Sequence, residues 1–376
     1  MRKLLILYLI GLSMAHFGVL GVLRYAVVAA AITAIVAMEG KFFFSRSIVY
    51  NLGGLLFMGG GVIAYVTNGT TFSLTYILFI LINFMLYPGF EKYSIPRRFI
   101  QLFTLYLVFT LTYVTDFGAL KGGNLYGNGN NYATVVICTS YFALLSFRGS
   151  FLKQLLTTPI FVTLVFLSQS RTQLAAILLF YGLYFTQEYL LRLHFRRLIF
   201  FLVIGMFVLY GTLISGDPLD IISVVQENTY GHKSYRGLSY RDVLFFASVD
   251  ILASYPLGVG WGLSGEYIYD YIGDRLSPHN TFMKVAVEGG WVALSGFLVL
   301  LLGRLWTTTS PLVSSFMVAL TLRGLFESST PFTLSFVSSM LLLPFFLNDR
   351  TIDQPYTVQP APPRPGDRST SYAQIS

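Results

Sequence analysis

Three short signatures each set a basic residue at the start of a helix, where an anion can be held. Ser170-Arg171-Thr172-Gln173 has the S-x-x-Q form of a capping box, which puts Arg171 in the first turn of the helix that follows. Ser239-Tyr240-Arg241-Asp242 has the S-x-x-D form and precedes an apolar run ending at Tyr255-Pro256, so Arg241 opens a loop helix. Ser277-Pro278-His279-Asn280 offers a serine cap, a proline at the first helical position and His279 next. Unpaired backbone N–H groups and the positive end of the helix dipole attract anions at such places. Arginine adds a charged fork that grips phosphate oxygens in pairs. The same dipole disfavours an imidazolium, which would leave His279 neutral and able to accept a proton. Two fixed cations and a neutral imidazole suit a reaction that expels a diphosphate while a hydroxyl is deprotonated. Against this stands a plainer role, since arginine and histidine at a membrane boundary also serve as topology signals or snorkelling side chains.

The elements that must position these residues are set by the solvent. Only 11% of residues are charged and 55% are hydrophobic, far from a soluble domain. The pattern predicts an all-α polytopic membrane protein of about twelve transmembrane helices, with both termini cytoplasmic. Apolar runs of spanning length fall roughly at 4–22, 25–39, 47–66, 72–88, 98–115, 131–147, 152–168, 171–189, 198–214, 281–302, 308–325 and 331–347. With the N-terminus inside, most Lys and Arg, among them Arg97, Arg148, Lys153 and Arg304, face the cytoplasm. Short outer loops then hold Arg24, Lys121, Arg171 and Arg323. The Arg2-Lys3 start imitates a signal peptide but reads as an uncut first helix.

Residues 1–347 form one transmembrane domain with a large, partly helical outer loop near 215–280, and 348–376 is a Pro-, Ser- and Thr-rich tail expected to be disordered in the cytoplasm. The outer stretch Gly118–Asn131 is rich in Gly and Asn, which supply turns and amide groups. Tyr255-Pro256-Leu257-Gly258-Val259-Gly260-Trp261-Gly262 is a turn-forming run, with close backbone approach to a ligand as the sharper alternative. Arg236, His232, Arg275 and Lys284 are weaker site candidates, and Lys284 and Glu288, four apart, can simply pair. His16 and His194 read as structural. The single cysteine, Cys138, sits in an apolar run as a small hydrophobe. The outer acids show no Asp-x-Asp pair, so neither a metal nor another cofactor is expected. The net charge of +8 is scattered between apolar runs, which speaks for topology and not for nucleic acid.

Ser170-Arg171 opening a span, Arg241 leading a helix into Tyr255-Pro256-Leu257-Gly258-Val259-Gly260, and His279-Asn280 followed by Gly290 together resemble the O-antigen ligase and O-antigen polymerase superfamily, over roughly residues 118–300. The resemblance implies a GT-C type glycosyltransferase of the bacterial inner membrane. It acts at the periplasmic face on an oligosaccharide or polysaccharide linked to undecaprenyl diphosphate. Arg171 and Arg241, with Arg236 beside them, carry over as diphosphate-binding residues, and His279 as the residue that activates the acceptor hydroxyl for metal-free, inverting attack. Pro256, Gly258, Gly260, Asn280 and Gly290 carry over as positioning residues. Membrane lipid and a chain-length regulator are the further partners implied. Polymerase is the favoured activity, with ligation of polymer to lipid A core as the alternative. A lipid-linked sugar flippase is a competing class, but flippases tend to carry ionisable groups at mid-membrane and these spans hold few.

Overall fold

A computed structural model describes residues 47–68, 70–86, 95–112, 126, 129–191, 196–215, 241–273 and 276–328, with parts of 4–11 and 26–37. The last expected span at 331–347, the tail, the loop residues 216–240 with His232 and Arg236, Arg275, His16, His194, most of the first two spans and most of Gly118–Asn131 lie outside the described residues.

Among the described residues the regular structure is helical. In chain order the elements are α1 (Ile48–Asn68), α2 (Thr71–Leu86), α3 (Arg97–Thr112), α4 (Gly129–Ser146), α5 (Phe151–Leu167), α6 (Arg171–Phe185), α7 (Arg196–Ser215), α8 (Arg241–Ser254), α9 (Ser264–Ile272), α10 (Thr281–Thr307) and α11 (Pro311–Phe326). A π-helical turn, Thr186–Leu191, prolongs α6. A helix thus stands at every expected span from 47 to 325. Of these, α1 and α10 are long and apolar enough to cross a membrane alone, and others, including α5 and α11, are shorter apolar helices.

The distribution of side chains is that of a bundle solvated by hydrocarbon. Leu55, Phe109, Leu156, Phe166, Phe201 and Val208 point outward and are more than half exposed, whereas Thr134, Thr139, Ser140, Gln154, Ser314 and Ser315 are buried. Water would invert that arrangement. Inside, the polar groups find one another: Gln187 donates to Ser315 Oγ at 2.9 Å and accepts from Ser314 Oγ at 3.2 Å, which joins the π-turn to the start of α11. Arg97 closes the C-terminus of α4 by donating to Ser146 O and Arg148 O, both at 2.9 Å, as a cation at a negative helix end should.

The antiparallel pair α1–α10 is built on small residues. A Cβ on Gly60 would lie 2.4 Å from Ala293 N, and one on Gly296 would lie 2.3 Å from Phe57 N. No side chain larger than hydrogen fits, so backbones meet directly, the usual way for helices to pack where lipid weakens the hydrophobic drive.

Candidate functional site

The site is assembled around a break in α10. Gly290 has φ 72° and ψ −176°, so the helix is interrupted there. The interruption redirects hydrogen bonds that the helix would have made. Val287 O accepts from Val259 N at 2.8 Å, Glu288 O accepts from Gly260 N at 2.9 Å, and Trp291 N donates to Pro256 O at 3.1 Å. The Pro256–Gly262 run is therefore a strap that replaces a missing helical turn. Contact is so close that a Cβ on Gly258, whose φ is +90°, would fall 2.5 Å from Gly290 N. Gly258 O accepts from Asn68 Nδ2 at 3.2 Å and Trp261 N donates to Ser73 Oγ at 3.0 Å, which fixes the strap to the ends of α1 and α2. The close backbone approach expected of these glycines is to α10. Lys284 and Glu288 do pair, Nζ to Oε1 at 3.9 Å, and Ser264 Oγ adds a 2.7 Å bond to the same oxygen.

Ahead of the break, α10 opens three residues later than the serine-proline signature suggests. Its N-cap is Asn280, whose Oδ1 accepts from Phe282 N at 2.8 Å and Met283 N at 3.0 Å. Asn280 has extended backbone and its amide oxygen reaches two free N–H groups, so it displaces Ser277 from the cap. His279 consequently precedes the cap instead of lying in the first turn. Its neutrality has another origin. Burial holds its pKa below the ordinary 6.5, the carboxylate of Glu327 pulls it back up, and the charge of Arg241 adds to the lowering. His279 Nδ1 is buried and accepts or donates no hydrogen bond.

Arg241 is the first residue of α8, as expected. Its Nη2 donates to Glu327 Oε1 at 3.2 Å, while its Nε is buried without a partner. Glu327 stands at the C-cap of α11. The same Oε1 accepts from Asn130 Nδ2 at 2.9 Å, and Thr281 Oγ1 donates to Glu327 O at 2.7 Å. One turn back, Arg323 is 3% exposed and donates from Nε to Thr134 Oγ1 at 2.9 Å. Arg323 is thus a buried residue in the last turn of α11, not a member of an outer loop. Tyr210 of α7 packs edge-on to Phe326 at 5.3 Å.

Arg171 opens α6 as expected and is exposed. Ser170 occupies the N-cap with extended backbone, but its hydroxyl makes no capping bond, so the capping-box expectation is corrected there. The α6–α11 pair runs antiparallel, with Phe180 against Phe316 at 5.5 Å and Gln187 on Ser314 and Ser315. Nine residues from Phe180 to Arg171, at about 1.5 Å each, bring Arg171 level with the end of α11. Arg171, Arg241 and His279 therefore share one end of the bundle. Gln173, two residues into α6, is fully buried with neither amide atom bonded.

The sequence reading assigns no site role to Glu327 or Tyr210, places Arg323 in an outer loop, and holds Asn130 only as part of the Gly- and Asn-rich stretch. An Arg-x-x-x-Glu spacing at the close of an apolar run, Arg323 to Glu327, was the available signal for two of them.

Among the described residues the chain is a helical bundle in which two helices are long and apolar enough to cross a membrane, with two arginines and a histidine towards one end. A family model described as O-antigen ligase matches residues 156–298, and this match shows the resemblance to the O-antigen ligase and polymerase superfamily. The matched segment runs from within α5 to within α10 and contains Arg171, Arg241 and His279. It supports O-antigen ligase or polymerase type function, and an enzymatic role, at that level. No curated protein matches the chain.

Proposed function

We propose that this chain is a glycosyltransferase at the periplasmic face of a bacterial inner membrane. It transfers a glycan from undecaprenyl diphosphate to an acceptor sugar hydroxyl, with inversion and without a metal. The observation that carries this reading is a pair of buried, unbonded atoms, Arg241 Nε and His279 Nδ1, where Arg241 is held by one nitrogen to Glu327 and His279 lies two residues from the Thr281 hydroxyl that donates to Glu327 O. An unsatisfied buried polar atom costs about 1–3 kcal/mol, so atoms of this kind persist where a substrate completes them.

In this mechanism Arg241 and Arg171 hold the diphosphate. His279 accepts the proton of the acceptor hydroxyl as its oxygen attacks the anomeric carbon. A new glycosidic bond forms, the bond from that carbon to phosphate breaks, and its electron pair leaves on the diphosphate. The two cations stabilise that developing charge. Polymerisation of lipid-linked repeats is the favoured form and ligation of polymer to lipid A core the alternative. Loss of a polymerase should leave core capped by a single repeat, and loss of a ligase should leave bare core with lipid-linked polymer accumulating. A deletion strain with unaltered surface glycan would overturn both.

The buried Arg323 favours a second reading, since ionisable groups inside membrane helices often mark transport paths. Purified protein that moves a labelled lipid-linked oligosaccharide across vesicles, while forming no glycosidic bond, would establish it in place of the first.

A further inference from the structure

We infer that Glu327 is a positioning residue of this site: its carboxylate holds Arg241 ready for the diphosphate and stands behind His279 as a counter-charge when the imidazole takes a proton. The chemistry assigned rests on the glycosyltransferase reading, and the assignment of the residue rests on geometry.

Glu327 is pinned from both sides. Its backbone N–H donates to Arg323 O at 2.8 Å and its carbonyl accepts from Thr281 Oγ1 at 2.7 Å, so it ties the end of α11 to the start of α10. Its side chain is only 9% exposed, and Oε1 is shared between Arg241 and Asn130. Four helices, α4, α8, α10 and α11, thus converge on one residue.

The pairing with Arg241 is half-made. A guanidinium committed to structure would present two nitrogens to a carboxylate. Here one nitrogen does so, and Nε remains buried without a partner. Arg241 is therefore oriented by Glu327 but not used up by it.

The second task concerns charge. His279 is seated beside Glu327 by two contacts that flank it, Ser277 Oγ to Ser328 Oγ at 3.1 Å and Thr281 Oγ1 to Glu327 O at 2.7 Å, and the charges acting on it are Glu327 from α11 and Arg241 from α8. Arg241 opposes an imidazolium and Glu327 favours one. When His279 accepts the hydroxyl proton, Glu327 offsets the new cation beside an existing one.

The test uses the purified full chain in lipid nanodiscs, with Glu327→Gln and Glu327→Asp compared. Transfer rates are measured against pH with a lipid-linked donor. The titration midpoint of His279 is read separately by NMR, its signal assigned with His279→Gln. In Glu327→Gln, kcat should fall by roughly ten- to a hundredfold while KM for the donor changes less. The His279 midpoint should move to lower pH, and Glu327→Asp should return it towards the wild-type value. An unchanged kcat with an unchanged midpoint, or a midpoint that rises, would overturn the proposal. If Glu327→Gln is lost from the membrane, Asn130→Ala keeps the charge but loosens its seat. It should lower kcat by about three- to tenfold with the midpoint little moved, and full kcat there would overturn the positioning role. A wild-type protein that forms no glycosidic bond, yet shows the midpoint shift, would retire the glycosyltransferase reading and still support the link from Glu327 to His279.

Discussion

His279 gives the site its pH signature. Because burial and the Arg241 cation keep its pKa below 6.5, the ring stays deprotonated as pH falls through the range where an ordinary histidine would charge. A base in that state works down to lower pH and is lost only through its own depressed pKa. The acid limb of kcat/KM is expected below 6.5, and a limb above that value would remove His279 from the role of base. His279→Ala should lower turnover by roughly a hundredfold or more with the protein still in the membrane, as checked by single-turnover assay and immunoblot. Arg241→Lys keeps charge but loses the planar fork, and it should raise KM for the donor by about tenfold. These three positions stood out in the sequence because each lies beside a helix start, at Ser170, Ser239 and Ser277. Glu327 was not visible, since a lone acid at the end of an apolar run gains meaning only when α4, α8 and α10 arrive at it.

At the scale of elements, the strap and the broken turn are one device. Gly258→Ala and Gly290→Ala would each force a Cβ to within 2.5 Å of the opposite backbone, at positive φ in both cases. Each is expected to destabilise by about 2–3 kcal/mol or more, read as a lower thermal midpoint in detergent. Asn280→Ala should cost roughly 1 kcal/mol as a lost cap, and Asn280→Asp should recover most of it. The sequence indicated that this run turns and that Ser277 caps the helix carrying His279. It did not show that the turn lies against Gly290, because a hydrogen bond between Gly260 and Glu288 joins residues far apart in the chain. For the same reason the Ser-Pro signature misplaced the helix start: local capping rules allow both Ser277 and Asn280, and the packing of Thr281 on Glu327 decides between them.

For the whole molecule, helices were legible because apolar run length is a local property, and described helices stand where those runs lie between 47 and 325, two of them long and apolar enough to cross a membrane. How the helices pair was not legible, since α1 and α10 recognise each other through glycines that look unremarkable in either sequence alone. Gly60→Leu should drive these helices apart and abolish both stability and activity, as measured by size-exclusion chromatography and transfer assay. The proposed orientation has its own test. Cys138 is buried and is the chain's one cysteine, so introduced thiols report without background. The exposed positions Glu266 and Lys153 lie towards opposite ends of the bundle. Glu266→Cys should label with an impermeant maleimide from the periplasm, and Lys153→Cys only after the inner membrane is opened. The reverse pattern would invert the proposed orientation.

The interruption at Gly290 also sets a depth. The part of α10 beyond it, 291–307, measures roughly 26 Å at about 1.5 Å per residue, close to the thickness of a hydrocarbon core of about 30 Å. In the proposed orientation, the shorter piece carrying Asn280 and Thr281 would ride at headgroup level. On the proposed glycosyltransferase reading, a prenyl carrier would then keep its chain in the acyl layer while its phosphates met Arg241, and catalysis would require no extraction of lipid. Only the hydrophilic acceptor would have to approach from water.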